Sequence, residues 1–274
     1  MDYLSAITSI KKFIPSVGDK ILEFYVHRKT IEVTTKSNAT PLTQADTVAS
    51  QLIVQYLTSL TPDVPVLSEE GVDISFSERK TWDYYWLVDP LDGTREFLEG
   101  TDEFTVNIAL IHKHRSILGF IYQPTTRDLF YAAADKGVWW ETADGIKIPL
   151  HSRQFNPEQV NVLISRHHTP KWLMQRLKTS GISYHFDPVG SSLKFCRLAA
   201  GSADMYPRGG PTSEWDTGAG QCILEQAGGL VLQTSGDPLL YNTKDKLENP
   251  SFMAIADKNA DWPTWLKWFN ERIK

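Results

Sequence analysis

The chain has 274 residues, 41% of them hydrophobic and 22% charged, which suits one large α/β unit or two intimately packed halves. Its formal net charge is -5, so the overall field disfavours a polyanion and argues against nucleic acid as a partner. No apolar run approaches the roughly 20 residues that span a bilayer, which argues against a transmembrane segment, and MDYLSAITSIKKF at the start lacks a signal-peptide layout.

Ile7, Ile10, Ile14, Val17, Ile21 and Phe24 recur at helical spacing. Pro15 interrupts them, which predicts a kink or a break. Residues 34–41, TTKSNATP, form a loop or a hairpin tip. A second helix follows Thr43, and Asp46 falls where a capping box needs it. Val48, Leu52, Tyr56 and Leu60 give its expected buried face; Pro62 and Pro65 end it. A short strand at Val64–Leu67 leads into Ser68-Glu69-Glu70-Gly71. Tyr85–Val88 is an apolar strand that stops at Asp89-Pro90. Phe104–Ile111 and Ile117–Tyr122 read as a hairpin, and Leu129–Ala134, Val138–Glu141 and Ile146–Leu150 continue a meander. Residues 1–150 thus read as two helices on a mainly antiparallel sheet.

After His151 the rhythm changes. Strands at Val160–Ser165, Ala203–Tyr206, Leu230–Gln233 and Phe252–Ala256 alternate with helices at Pro170–Thr179, Ser191–Ala200, Thr217–Ala227 and Pro263–Ile273. Gly228-Gly229 suits a helix C-cap. Residues 151–274 read as an α/β half, and a site is expected in the crevice between the halves. Cys196 and Cys222 fall in apolar, helix-like stretches and read as buried thiols of a reducing cytoplasm. Nine tryptophans, including Trp139, Trp140, Trp262, Trp265 and Trp268, suit core packing more than a membrane-facing surface.

The chemistry gathers around Trp86–Phe97, WLVDPLDGTREF. Asp89 and Asp92 flank Pro90-Leu91 directly after an apolar strand. Pro90 fixes its φ and Gly93 permits a tight turn. Two carboxylates and the Leu91 carbonyl suit a hard cation such as magnesium; the Gly93 and Thr94 amides suit phosphate. By itself this segment equally suits a polar turn. Glu69-Glu70 adds two like charges at another strand end, which a cation would relieve. Asp216 opens a helix of small residues, where an acid serves either as a cap or in a site. Oxygen donors disfavour zinc.

Ser68-Glu69-Glu70, D-P-L-D-G-T over Asp89–Thr94 and Trp215-Asp216 resemble the signature of the inositol monophosphatase superfamily of magnesium-dependent, lithium-sensitive phosphatases. Further segments look like its bacterial 3'(2'),5'-bisphosphate nucleotidases of the CysQ type. These are TPDVPVLSEE (61–70), EFTVNIALI (103–111), ISRHH (164–168), GSSLKFC (190–196) and YPRGGPTSEWDT (206–217). The resemblance implies a layered αβαβα sugar-phosphatase-like fold. It implies a cytoplasmic enzyme of sulfur metabolism that converts adenosine 3',5'-bisphosphate to AMP, with two or three Mg2+ ions per site. Implied metal ligands are Glu69, Asp89, the Leu91 carbonyl, Asp92 and Asp216. Asp46 and Thr94 match the pair that orients and deprotonates the attacking water. Gly93 and Thr94 would hold the scissile phosphate, and His168, Ser191, Lys194 and Arg208, with Asp216, the nucleotide. Arg95 stands where this type usually has lysine. Inositol monophosphate and fructose 1,6-bisphosphate are the alternative substrates, and a non-catalytic nucleotide sensor is the alternative class. Oligomeric state and a peripheral attachment to the inner membrane stay open.

Overall fold

Pro15 does not break the first helix. The computed structural model describes residues 3–30, 33–35, 41–167 and 182–270, and in it α1 runs over Tyr3–Val26 with Pro15 inside. Ala6, Ile10, Ile14, Val17 and Ile21 are all buried. That continuous apolar stripe outweighs the one backbone hydrogen bond a proline removes.

Strands β1 (Thr34–Thr35) and β2 (Pro41–Leu42) pair antiparallel where a hairpin tip was expected. Helix α2, Gln44–Leu60, starts at Thr43 with the expected capping box to Asp46. Its buried face differs from the expected one. Ala45, Asp46, Ala49, Ser50, Ile53 and Leu57 point inward, and Val48, Leu52, Tyr56 and Leu60 lie at the margin, half-buried. Small residues let α2 approach the sheet closely, and the large ones close its edges.

The first sheet follows chain order: β3 (Val66–Ser68), β4 (Tyr84–Asp92), β5 (Thr105–His112), β6 (Arg115–Gln123), β7 (Asp128–Ala133), β8 (Gly137–Glu141) and β9 (Lys147–Pro149). Only β3 and β4 run parallel. Short helices α3 (Phe76–Arg79) and α4 (Thr94–Glu99) flank β4. The second sheet comprises β10 (Gln159–Ser165), β11 (Ser183–Val189), β12 (Met205–Arg208), β13 (Leu230–Gln233) and β14 (Phe252–Ile255), in the order β11-β10-β12-β14-β13. It is parallel at β10–β11 and β10–β12 and antiparallel around β14. Among the described residues, the helices of this part are α5 (Leu193–Ala199), α6 (Glu214–Ala227) and α7 (Trp262–Asn270). The helix expected at Pro170–Thr179 lies outside the described residues.

Five layers result. Ile10, Ile14, Ile53 and Leu57 of α1 and α2 cover Trp86, Val88 and Phe120 on one face of the first sheet. Between the sheets, Cys196, Ala219, Cys222 and Ile223 meet Leu87, Ala109 and Ile121, and Phe195, Leu198 and Leu224 meet Leu163, Val231 and Phe252. Trp262 and Leu266 of α7 close the far face over Val162, Met205 and Met253. This is the αβαβα arrangement. Both cysteines sit in the middle layer, free and buried, and burial pushes their thiols up. Trp139 stacks on Tyr131, Trp140 on Phe130, and Trp265 meets Phe155 edge-on, so these rings pack against the protein's own aromatic groups. The side chain of Trp268 lies outside the described residues.

Although α6 follows residue 150, it packs on β5 and β6 as well as on α5 and β13. Its approach is close. A Cβ on Gly119 of β6 would stand 2.4 Å from the Ala219 carbonyl, so only glycine fits. Gly119→Ala is expected to destabilise the protein by about 1–3 kcal/mol. A urea midpoint equal to that of the unaltered protein would show slack between these layers.

Candidate active site

Strand β4 does not stop at Asp89, as the apolar run implies, but continues to Asp92. Asp89 pairs with Asn107 and Asp92 with Thr105, so three steps along β4 oppose two along β5. In an even strand, residues three apart point to opposite faces. The extra residue makes a β-bulge, which brings both aspartates to one side. Pro90 falls within this irregular stretch, where a missing N–H costs little. Gly93 follows at φ 92° and turns the chain into α4; that left-handed conformation favours glycine.

One carboxylate oxygen from each of Asp89, Asp92 and Asp216 lies within 4.8 Å of the others. Asp216 arrives on the first turn of α6, where its Oδ2 accepts the Ser213 N–H at 2.9 Å in a capping box. It is therefore both a cap and a member of the cluster. Asp89 is 1% exposed, and its Oδ1 accepts the Leu91 N–H at 3.1 Å. Glu69 follows β3, whose pairing with β4 brings it to the same end. Glu69, Leu91 and Gly93 line one cavity with the three aspartates.

Burial pushes the Asp216 carboxyl well above the ordinary carboxylate range, and the charges of Asp92 and Glu69 raise it further. A cation would relieve that crowding. The donors are oxygens, as a hard divalent ion prefers, so the residues fit a metal of the magnesium type.

Thr94 Oγ1 donates to Asp46 Oδ1 at 3.1 Å. Asp46 Oδ2 accepts the N–H and the hydroxyl of Thr43 at 2.9 and 2.6 Å. One carboxylate thus caps α2 with one oxygen and holds Thr94 with the other. The Thr94 hydroxyl also lies 3.4 Å from the Leu91 carbonyl.

Asp92 carries a support that the motifs did not announce. Its Oδ2 accepts from Ser191 at 2.8 Å, Ser192 at 2.6 Å and Asn107 at 3.3 Å. Thr105 is 2.6 Å from Ser191 Oγ and donates to Asn107 at 2.9 Å. Thr105 and Asn107 are buried polar residues two apart in the apolar strand β5. That alternation was the available signal.

The cavity measures about 620 Å3. Lys194 and Arg208 line it opposite in sign to the acids. Ser191 was expected in a helix with Lys194 one turn on. Instead Ser191 has φ 53° and α5 begins at Leu193, because the Ser191 and Ser192 hydroxyls turn toward Asp92. Lys194 Nζ donates to the carbonyls of Val189 at 3.0 Å and Ser191 at 2.6 Å, and burial lowers it to about 8. Arg208 donates from Nη2 to Pro211 O at 2.9 Å; its buried Nε has no hydrogen-bond partner among the described residues. His168 lies outside those residues. His167 lines the cavity, with Nε2 3.5 Å from Glu96 and 3.4 Å from Glu99.

The model of the inositol monophosphatase family matches residues 5–261. The chain belongs to this family. Within it, the chain is 42% identical over 237 residues to the 3'(2'),5'-bisphosphate nucleotidase CysQ of Salmonella typhimurium, covering 86% of this chain and 94% of that protein. It is 37% identical over 248 residues to the Haemophilus influenzae CysQ, covering 89% and 90%. The crystal structure of CysQ from Bacteroides thetaiotaomicron, a bacterial member of the inositol monophosphatase family, superimposes with a TM-score of 0.78 at 33% identity, over 93% of this chain and 98% of that one. An inositol monophosphatase of Thermotoga maritima shares the fold at TM-score 0.77 and 22% identity, over 100% and 98%.

The acid cluster of this family member implies a pH signature. A carboxyl whose pKa is raised in the folded state keeps a proton that the unfolded chain releases. Stability therefore falls as pH rises from the ordinary carboxylate range toward the folded value. Asp216 acts this way, as does Glu214, which burial raises to about 7. A bound cation removes the penalty at Asp216. The gain in Tm on adding magnesium is thus expected to grow from pH ~5 to ~8. A gain that is flat with pH, measured by calorimetry, would contradict this.

Proposed function

We propose that the chain is a phosphoric monoester hydrolase that removes the 3'-phosphate of adenosine 3',5'-bisphosphate, or the 2'-phosphate of the 2',5' isomer, to give AMP and phosphate. Magnesium is its cofactor in this reading, and the substrate is a by-product of sulfate assimilation. The observation that carries it is a single cavity with an acidic and a basic wall. A phosphate to be cleaved needs the acids Asp89, Asp92 and Asp216 with a cation; Lys194 and Arg208 suit a second phosphate that is kept. Phe195, Tyr206 and Phe252 add apolar lining to the same cavity, which suits a nucleoside. The similarity to CysQ nucleotidases supports the same substrate class.

Glu69, Asp89, the Leu91 carbonyl, Asp92 and Asp216 would hold the magnesium. When bound, it neutralises phosphate charge and makes water a better nucleophile at neutral pH. The chain supplies the proton path. Because the Thr94 hydroxyl donates to Asp46, its oxygen is left as an acceptor toward an attacking water. The water proton passes to Thr94 Oγ1 as the Thr94 proton passes to Asp46 Oδ1. The water oxygen bonds to phosphorus as the bond to the ribose oxygen breaks, and the departing ribose oxygen takes a proton from solvent water. The Gly93 and Thr94 amides donate to the phosphate oxygens. Such a transition state is loose, so positioning and charge contribute most of the rate.

Phosphate release is expected to be fastest with adenosine 3',5'-bisphosphate, against inositol monophosphate and fructose 1,6-bisphosphate at equal magnesium. A preference for inositol monophosphate would overturn the substrate assignment. Asp92→Ala should lower turnover by roughly 10³-fold, the loss of several kcal/mol of charge stabilisation, with circular dichroism unaltered. Undiminished turnover in that variant would refute the site.

A further inference from the structure

Glu103, Arg166 and the Gly190–Ser192 turn come from three separate sequence segments, yet they meet beside Asp92. We infer that Glu103 and Arg166 are positioning residues that fix Asp92 for cation binding, acting through the turn between them. The inference rests on the reading of Asp92 as a metal ligand.

Side chains hold the backbone of this turn and of the residues leading into it. Glu103 Oε2 accepts the Gly190 N–H at 2.8 Å. Arg166 Nη2 donates to the Pro188 carbonyl at 3.1 Å. Lys194 holds the carbonyls of Val189 and Ser191. Arg166 and Glu103 are themselves locked together: Nε reaches Oε2 at 2.9 Å, and Nη2 reaches both carboxylate oxygens at 2.7 Å. A forked guanidinium–carboxylate pair fixes direction as well as distance. The turn is also pressed against its support, since a Cβ on Gly190 would stand 2.7 Å from Glu96 Cγ and 3.0 Å from Glu103 Cβ.

The turn needs such a hold. Ser191 stands at φ 53°, a left-handed conformation that an L residue seldom adopts without support. In that conformation its hydroxyl reaches Asp92 Oδ2, and Ser192 reaches the same oxygen. Among the described residues, the hydrogen bonds to the Asp92 carboxylate all fall on Oδ2. Its rotation is fixed, and the other oxygen is left for a cation.

Magnitudes separate positioning from stabilisation. The side chains of Arg166 and Glu103 are 35% and 23% exposed, and a partly exposed ion pair contributes little to folding. Loss of a support behind a metal ligand costs about 10–100-fold in metal affinity or activity. Breaking the clamp should therefore weaken cation binding far more than it lowers Tm.

The test is calorimetric titration of magnesium into substrate-free protein. Glu103→Gln and Arg166→Met should each raise Kd by about 10-fold, with Tm nearly unaltered, and Arg166→Lys, which keeps the charge and loses the fork, should fall between. In a Ser191→Ala/Ser192→Ala background, Glu103→Gln should add less than about 2-fold, because the route to Asp92 is already cut. Wild-type affinity in both Glu103→Gln and Arg166→Met would overturn the inference, as would effects that multiply in the combined variant. If Glu103→Gln does not fold, Arg166→Met alone decides. Asp92→Asn separates the two readings: lost affinity there with intact affinity in both Glu103→Gln and Arg166→Met rejects the clamp alone. Retained affinity in Asp92→Asn rejects the cation site and the clamp with it.

Discussion

Like charges crowded at one point are the constraint on which this structure depends. Asp89, Asp92 and Asp216 bring carboxylate oxygens within 4.8 Å of one another, with Glu69 lining the same cavity. Such a cluster opposes folding unless a proton or a cation relieves it. Its cost is met by elements that have no other common task. A bulge turns β4 by one residue, a capping box fixes Asp216, and hydroxyls from across the cavity fix Asp92. The five-layer fold sets the stiffness against which the acids are held.

The support is graded by distance from the cation position. Asp92 is held by hydroxyls, the hydroxyls by a strained turn, and the turn by an ion pair and a buried lysine. Lys194 fits this order well. Its ammonium is buried, and burial lowers its pKa. Yet it satisfies two carbonyls of the turn while its charge lines the basic wall. A lysine that both braces the turn and lines the cavity ties the geometry of Asp92 to the charge balance of that cavity.

What was legible in the sequence was local. Asp89, Asp92, Gly93 and Thr94 are neighbours, so their spacing reports their geometry. Asp46 was readable through its capping box. What was not legible depends on contacts across long separations. Ser192 and Asn107 are 85 residues apart, and Arg166 and Glu103 are 63 apart; no periodicity links them. The bulge was missed because a proline after an apolar run reads as a strand end. The face of α2 was misjudged because large residues were taken for the buried ones, whereas alanine and serine permit the close approach. The expected break at Pro15 ignored how strongly a continuous stripe of buried isoleucine and valine holds a helix.

The helix α6 has a consequence for modularity. It belongs to the second half in chain order, but it fills the seam between the sheets and carries Asp216 on its first turn. Removing the second half would strip the first sheet of one apolar covering and the cluster of one acid. Neither half is a cassette that recombination could exchange alone. A hinge opening between the sheets would have to split this shared wedge.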